Sequence, residues 1–505
     1  MPAASPNILI VMADQLTPGA LPAYGHRLVR TPHIDRLAEQ GVVFESAYCN
    51  SPLCAPSRYS LLTGKLPSRI GAFDNAAELP AEALTFAHHL RHAGYRTALA
   101  GKMHFAGPDQ LHGFEERLTT DIYPADFGWT PDWNAPHERP EWYHNMRSVL
   151  EAGPCVRTNQ LDYDEEVVFA ARRQLFDLAR SGDGRPFCLV VSLTHPHDPY
   201  VISRPYWDLY RDEDIDLPRV NLPLAAWDPH SLRLREVCDI GRKPPGEARV
   251  RAARRAYYGA ISFVDEQVGI LLQALRDAGQ ADDTVVVFAG DHGDMLGERG
   301  LWYKMNFFEG AARVPLIVHA PRRFTPRRIA ASISLADLLP TLVDIAHDGR
   351  APAAPEPVDG RSLWPHLTGD EGHDEAIGEY LGEGALAPIV MIRRGPWKYV
   401  HSRPDPDQLY DLSRDPDELV NRAGDPAAAA VLEAFRTETA RRWNLDDLHR
   451  TVLASQRRRH FHFAAESRGA RRSWDFQPFT DASRQYVRSH LDLDTTEARA
   501  RFPRV

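Results

Sequence analysis

The chain has few cysteines and no apolar run as long as a membrane span. Five cysteines in 505 residues form an odd and sparse set, which excludes a disulfide framework and favours a reducing compartment. The longest apolar runs, 7–13 and 284–289, are strand-length and fall far below the roughly 18 residues that a membrane helix needs. The first residues lack the basic region of a signal peptide. We therefore expect a cytoplasmic location and no membrane partner.

Positive charge is in the minority. Lys and Arg number 59 against 69 Asp and Glu, which gives a formal net charge of −10. An acidic chain disfavours general binding to nucleic acid. The remaining composition, 43% hydrophobic and 25% charged, is that of a globular protein. The length predicts two or three domains.

Apolar strands alternate with amphipathic helices in the first 300 residues. Continuous apolar strands suit a sheet that is buried on both faces. The alternation therefore predicts an α/β fold with a largely parallel sheet. The expected strands are 8–12, 95–100, 187–193 and 284–289, and the expected helices are 31–40, 84–93, 165–180 and one within 249–278.

Changes in composition predict three parts. Residues 350–358 are rich in Pro and Ala and indicate a surface connection. A hairpin is expected at 388–400, with its turn at Gly395 and Pro396, and a helix at 432–442. The expected parts are a catalytic α/β domain at 1–375, a smaller α+β domain at 376–449, and a basic, irregular tail at 450–505.

Polar residues follow the ends of four predicted strands. Ligands of open α/β sheets bind outside the carboxyl ends of the strands. One site is therefore expected to collect Asp14, Lys102, His104, His195, His197, Asp291 and His292.

The most specific motif is Cys54-Ala-Pro-Ser-Arg58, followed by Tyr59-Ser-Leu-Leu-Thr-Gly64. Ser57 is expected to cap a short helix, so residue 54 would lie near a helix N-terminus, where backbone N–H groups favour an anion. Arg58 carries a permanent positive charge, and its planar guanidinium presents N–H donors to oxygen atoms in a fixed geometry.

This motif resembles the signature of the formylglycine-dependent sulfatases of the alkaline phosphatase superfamily. Other motifs of that family follow in order, and the resemblance covers roughly residues 7 to 445: Asp14, Gly101-Lys-Met-His104, His195-Pro-His197, Asp291-His-Gly293 and Lys304. The resemblance implies a large, mostly parallel central sheet between helices, with a smaller C-terminal domain.

The resemblance also implies two cofactor features. Cys54 would be oxidised to formylglycine by a separate modification system, and its hydrate would be the nucleophile. Asp14, Asp291 and His292, together with residue 54, would hold one divalent metal ion. Gln15 stands where many sulfatases have a second Asp, and His292 where an amide is common. Because imidazole suits transition metals, Mn²⁺ and Ca²⁺ both stay open.

The remaining catalytic roles are implied in the same way. Lys102 would contact the sulfate, and His104 would deprotonate the second hydroxyl of the hydrate. His197 and Lys304 resemble the pair that stabilises or protonates the leaving oxygen. His195 is an alternative for part of this work.

Six aromatic residues and five carboxylates fall within residues 121–143. Such a mixture suits a quaternary ammonium through cation–π attraction, although a lid that packs its aromatic residues into a core gives the same composition. Four further motifs resemble the choline sulfatases within the family, 74–77, 195–200, 291–304 and 474–478.

That resemblance implies hydrolysis of choline-O-sulfate to choline and sulfate. The implied substrate-binding residues are Asn75, Trp129, His144, Asn145, Glu383 and His195. The tail resembles one that reaches a neighbouring subunit, so a homo-oligomer, dimer or tetramer, is expected. Asp492 or Asp494 would then approach a partner's pocket.

Three alternatives remain open. One is a hydrolase of phosphonate or phosphate monoesters or diesters from the same superfamily; the pair Lys102 and His104 speaks against it, because the related phosphonate hydrolases lack that pair. Another is a sulfatase for a different alkyl or aryl sulfate. The third is a binding module built on the basic runs 457–459 and 471–472, which a salt-dependent shift of DNA or RNA would reveal.

Overall fold

A computed structural model describes residues 5–123, 125–136 and 138–468. Its strands in chain order are β1 (Asn7–Ala13), β2 (Val42–Tyr48), β3 (Arg96–Gly101), β4 (Glu116–Arg117), β5 (Gly153–Cys155), β6 (Phe187–Leu193), β7 (Val201–Ser203), β8 (Thr284–Gly290), β9 (Arg313–His319), β10 (Arg327–Ser334), β11 (Ala376–Tyr380), β12 (Ile389–Arg394), β13 (Trp397–Ser402) and β14 (Gln408–Asp411).

An eight-stranded sheet forms the centre of the described chain, in the order β10-β2-β9-β8-β1-β6-β3-β4. Neighbouring strands are parallel except that β9 runs antiparallel to β2 and β8. Every residue of β6 and β8 is buried, as expected for apolar strands that are covered on both faces. The predicted α/β fold with a mostly parallel sheet is confirmed.

The α-helices of the described chain are α1 (Pro32–Glu39), α2 (Cys54–Thr63), α3 (Pro67–Ile70), α4 (Phe86–His92), α5 (Arg147–Leu150), α6 (Asn159–Ser181), α7 (Arg204–Trp207), α8 (Pro229–Val237), α9 (Glu247–Asp277), α10 (Glu309–Ala312), α11 (Leu338–Ala346), α12 (Trp364–Thr368), α13 (Ala429–Arg442) and α14 (Leu445–Glu466). No helix within the described ranges is both long and apolar enough to cross a bilayer.

Strands β11 to β14 form a separate antiparallel sheet. The predicted hairpin is present: β12 and β13 pair from Ile389 with Ser402 to Arg394 with Trp397, and Gly395 takes a positive φ of 55° in the turn. Apolar residues of this sheet pack on α13, so the segment after residue 376 has its own small core.

The helix α14 corrects one expectation. The chain was expected to become irregular at residue 450, but it is helical from Leu445 to Glu466. The division at 375 and 449 stays a prediction, and its second boundary falls inside this helix. Residues 469–505 lie outside the described part, and with them the motif at 474–478, the arginines at 471–472, Asp492 and Asp494.

Candidate active site

Four buried residues converge at the carboxyl end of the central sheet. Asp14 follows β1, Asp291 and His292 follow the adjacent parallel strand β8, and Cys54 is the first residue of α2. One ligand atom from each lies within 4.8 Å of the others. The Cys54 Sγ is 3.1 Å from His292 Nε2, and that nitrogen is 3.7 Å from an oxygen of each aspartate.

This group fits a divalent cation. Asp14 Oδ1 is buried without a hydrogen-bond partner, which is costly for a carboxylate oxygen unless a cation or donor meets it. The Nδ1 of His292 lies 3.0 Å from the carbonyl oxygen of Gly293. If Nδ1 donates there, the Nε2 lone pair faces the group, as in metal-bound histidines.

The start of α2 differs in one detail from the sequence prediction. Cys54 does open the helix, but Leu53 precedes it as the cap residue. Ser57 lies inside the helix, where its hydroxyl donates to the Asp291 carbonyl oxygen at 2.5 Å, so the predicted capping role is wrong. Ser57 instead ties α2 to the end of β8.

Arg58 is fully buried and holds the carboxylates of Asp14 and Asp291 in position. Its Nε donates to Asp291 Oδ2 at 2.9 Å, and its Nη1 donates to the Lys102 carbonyl oxygen and to Ser192 Oγ at 2.7 and 2.8 Å. Its Nη2 is 3.6 Å from Asp14 Oδ2. The rigid guanidinium therefore contacts the ends of four strands beside residue 54.

Two lysines surround the Cys54 thiol with positive charge. Burial alone raises the pKa of this thiol, but Lys102 and Lys304 lower it well below the ordinary value. Lys102 pairs with Asp14 Oδ2. Burial lowers the pKa of Lys102, but the charge of Asp14 outweighs it and raises that pKa. A group with developing negative charge is thus favoured at residue 54.

His104 lies next to the same centre. The Asp121 carboxylate accepts the backbone N–H groups of Met103 and His104 at 3.0 and 2.7 Å, and His104 has a positive φ of 64°. Its Nε2 is 3.1 Å from the Asn75 carbonyl oxygen. Asp121, one of the five carboxylates at 121–143, therefore holds the loop that carries His104.

Lys304 and His197 form the predicted pair. Lys304 Nζ lies 2.8 Å from His197 Nε2 and donates to Gln15 Oε1 at 2.5 Å. The Gln15 amide in turn donates to Asp294 Oδ2 at 2.6 Å. Gln15 therefore orients Lys304 through its side chain. Asp294 was not singled out from the sequence, although it lies only three residues after Asp291.

His195 has other partners. Its Nδ1 is 2.6 Å from Asp164 Oδ2, and its ring packs edge-on against Phe263. These contacts join the end of β6 to α6 and α9. The suggested contact of His195 with substrate stays a prediction.

The aromatic residues of segment 121–143 have two kinds of environment. Trp133 and Tyr143 are buried in the core, as the lid alternative requires. Trp129 is only partly buried; its ring centroid lies 5.9 Å from His104 and 6.5 Å from the nearly parallel Trp142. Part of the segment is therefore packed in the core, and Trp129 faces the His104 ring.

Three other predicted substrate residues have the following contacts. His144 stacks on Tyr303 at 4.6 Å and is 6.1 Å from the His197 ring; burial and the charge of Lys304 lower the pKa of His144 to about 3. The Asn75 side-chain oxygen accepts the N–H of Ala55 at 3.0 Å. Asn145 accepts the N–H of Arg147 through its side chain.

Glu383 supplies a buried carboxylate near the same centre. It is 3% exposed, and its Oε2 has no hydrogen-bond partner. Burial raises the pKa of Glu383 to about 7, and the charges of Asp74 and Lys304 also act on it. An unpartnered carboxylate with a raised pKa is a candidate cation site.

Comparison with protein families gives three matches. A model described as "Sulfatase" matches residues 6–348. One described as "N-sulphoglucosamine sulphohydrolase, C-terminal" matches residues 297–443. One described as "Choline sulfatase enzyme C terminal" matches residues 450–502, which extends beyond the described residues.

Comparison with individual proteins agrees with these matches. The chain is 49% identical to a choline-sulfatase of Rhizobium meliloti over the full length of both. It is 29% identical to an arylsulfatase of Clostridium perfringens, covering 82% of this chain and 90% of that one. A phosphonate monoester hydrolase of Agrobacterium radiobacter superposes with a TM-score of 0.69 at 26% identity, covering 88% of this chain and 96% of that one.

Proposed function

This chain belongs to the sulfatase family of the alkaline phosphatase superfamily, and we propose that it hydrolyses choline-O-sulfate to choline and sulfate. The observation that carries the proposal is the full-length similarity to a choline-sulfatase. The match of the C-terminal model adds to it, because that segment lies outside the region that the general sulfatase model matches.

Residue 54 is the proposed nucleophile, as formylglycine. The hydrated aldehyde would supply two hydroxyls, one to attack sulfur and one whose deprotonation expels sulfate. Asp14, Asp291, His292 and residue 54 would hold one divalent ion, Ca²⁺ or Mn²⁺, which lowers the pKa of a bound hydroxyl and polarises the ester. Arg58 keeps the two carboxylates in position through the contacts described above.

The surrounding side chains are proposed to stabilise charge on the sulfate and to transfer protons. Lys102 offers its positive charge to a sulfate oxygen beside residue 54. His104 is the proposed base for the second hydroxyl through its Nδ1, which is buried without a hydrogen-bond partner. When Nε2–H donates to the Asn75 carbonyl oxygen, the lone pair of Nδ1 is free to accept the proton. His197 Nε2 and Lys304 Nζ are 2.8 Å apart, and the two residues are proposed to stabilise or protonate the leaving alcohol oxygen.

The choline end is proposed to bind between Trp129, His144, Asn145, Asn75 and Glu383. A trimethylammonium group donates no ordinary hydrogen bond, so an aromatic face and a carboxylate are the groups that attract it. The low pKa of His144 supports this assignment, because an uncharged imidazole does not repel the cation. His195, which pairs with Asp164, stays a proposed substrate contact at the edge of this group.

Three features beyond the site are proposed with it. The five unpaired cysteines are compatible with a cytoplasmic location. Conversion of Cys54 requires a formylglycine-generating system as a partner. A homo-oligomer, dimer or tetramer, is proposed through the C-terminal tail.

The test compares choline sulfate with its uncharged carbon isostere, 3,3-dimethylbutyl sulfate. A desolvated cation–π contact contributes about 2 kcal/mol, roughly thirty-fold in binding. We expect kcat/KM to favour choline sulfate by at least that factor, and Trp129→Ala to remove most of the preference while turnover of an aryl sulfate is retained. Equal rates for both alkyl sulfates in the unchanged protein would disprove choline specificity but not the sulfatase assignment.

The similarity to a phosphonate monoester hydrolase supports one second candidate. The same assay should therefore include a phosphonate monoester. We expect choline sulfate to have the higher kcat/KM; the reverse order would make phosphonate hydrolysis the principal activity.

A further inference from the structure

The C-terminal helix α14 lies along the segment that carries Trp129. The side-chain oxygen of Gln456 accepts the N–H of Trp133 at 3.0 Å. The His460 Nε2 lies 3.2 Å from the Pro131 carbonyl oxygen. A Cβ atom on Gly128 would stand only 2.7 Å from the Phe463 ring, so the helix and this segment are in close contact.

Arg459 is the buried arginine of a run whose other two members, Arg457 and Arg458, are exposed. Its Nη1 and Nη2 donate to the two carboxylate oxygens of Asp74 at 2.5 and 2.7 Å. Its Nη1 also lies 3.3 Å from Thr130 Oγ1. The planar guanidinium of Arg459 therefore joins Asp74, in the loop before α4, to Thr130, which follows Trp129.

Both segments that Arg459 joins lead directly into the site. Asp74 precedes Asn75, which accepts the N–H of Ala55 and has its carbonyl oxygen 3.1 Å from His104 Nε2. On the other side, the Trp129 ring lies 5.9 Å from the His104 ring. A shift of Arg459 would change the spacing between Asn75 and Trp129.

We propose that Arg459 is a positioning residue for substrate specificity, which sets the spacing between Asn75 and Trp129 from the C-terminal helix of the same chain. This inference rests on the proposed function and adds a source for its selectivity. A bidentate Arg–carboxylate pair fixes orientation as well as distance, which the flexible, single-point ammonium of lysine does not. Replacing a buried ion pair by apolar residues is often neutral for the free energy of unfolding. The test therefore measures substrate specificity.

The main test compares Arg459→Lys with Arg458→Lys, the same change at the exposed neighbour. We expect Arg459→Lys to raise KM for choline sulfate at least about fivefold, a partial loss of the cation contact. KM for 4-nitrophenyl sulfate should stay within about threefold, since that substrate needs no cation contact. A fall in kcat through His104, which the Asn75 carbonyl oxygen contacts, should be equal on both substrates and leaves the ratio of the two KM values as the readout. Arg458→Lys should match the unchanged protein. An equal rise in KM on both substrates, or no change in KM on either, would overturn the proposal.

Asp74→Asn provides a second variant that keeps the shape of the partner. It should reproduce the rise in KM, and the double variant Asp74→Asn/Arg459→Lys should be no worse than the more affected single variant. Additive losses would show that the two residues act separately and would contradict the proposal.

Hydrogen exchange without substrate separates this inference from the proposed function. We expect peptides that cover residues 70–77 and 125–133 to lose protection in Arg459→Lys but not in Arg458→Lys. Unchanged protection would refute the positioning role. If the unchanged protein does not distinguish choline sulfate from its isostere, the proposed choline specificity fails. The exchange result then still decides whether Arg459 positions the two segments.

Discussion

At the scale of single residues, burial raises the pKa of the Cys54 and Cys188 thiols, and nearby positive charge reverses that effect at Cys54. Both thiols are buried, but Cys54 has two lysines near it and a depressed pKa, whereas burial alone raises the pKa of Cys188 in β6. The same residue type is therefore a reactive group at one position and packing at the other. The motif around Cys54 made this distinction predictable from the sequence.

This contrast gives a direct prediction for the nucleophile. In protein made with a formylglycine-generating system, peptide mass spectrometry should find an aldehyde in place of the Cys54 thiol and an intact thiol at Cys188. Cys54→Ala should lower kcat by about 10³-fold or more, as loss of a nucleophile does, while Cys188→Ala should keep the activity. Retained activity in Cys54→Ala would exclude the proposed nucleophile.

Glu383 predicts a pH dependence that is specific to the cationic substrate. Because burial raises its pKa to about 7, the carboxyl group is increasingly neutral as the pH falls below that value. The attraction to trimethylammonium is then lost, so KM for choline sulfate should rise as the pH falls from 8 to 6, by up to about tenfold per pH unit below the pKa.

The measurement is the ratio of KM values for choline sulfate and 3,3-dimethylbutyl sulfate across that pH range. Effects on the catalytic groups act on both substrates and cancel in the ratio. Glu383→Gln should raise the ratio at pH 8 and make it independent of pH. A pH-independent ratio in the unchanged protein would remove Glu383 from the cation site.

At the scale of elements, four strands of the central sheet, β1, β3, β6 and β8, were predicted, whereas β2, β9 and the tertiary contacts were not. The run at 187–193 was expected as a strand and is β6, because six apolar residues among seven suit a sheet covered on both faces. The helix α14 was missed because its basic run resembles a solvated tail. Arg459 in that run is buried and pairs with Asp74, which lies 385 positions away in the sequence.

The histidine doublet shows the same limit within the site. His195 and His197 are two residues apart and chemically identical, so only the family resemblance favoured His197, with His195 kept as an alternative. Tertiary contacts separate them: His195 pairs with Asp164 on α6, and His197 lies beside Lys304. The carboxylates at 121–143 were similarly ambiguous, and Asp121 holds backbone N–H groups instead of a ligand.

At the scale of the whole molecule, the proposed metal group is assembled only by folding. Its members come from the ends of β1 and β8 and the start of α2, and Asp14 and Asp291 are 277 residues apart in the sequence. An unfolded chain does not present these ligands together. Metal binding should therefore stabilise the native state selectively.

The final prediction follows from this coupling. An ion present at 100 times its Kd stabilises the fold by about 2.7 kcal/mol, which for a chain of this length corresponds to a rise in Tm of roughly 2–3 °C. Dialysis against a chelator should lower Tm by that amount, and Mn²⁺ or Ca²⁺ should restore it. His292→Ala should make Tm insensitive to the chelator, whereas His195→Asn, at a buried histidine outside the group, should leave the shift intact. If chelation shifts His292→Ala as much as the unchanged protein, the stabilising ion binds elsewhere.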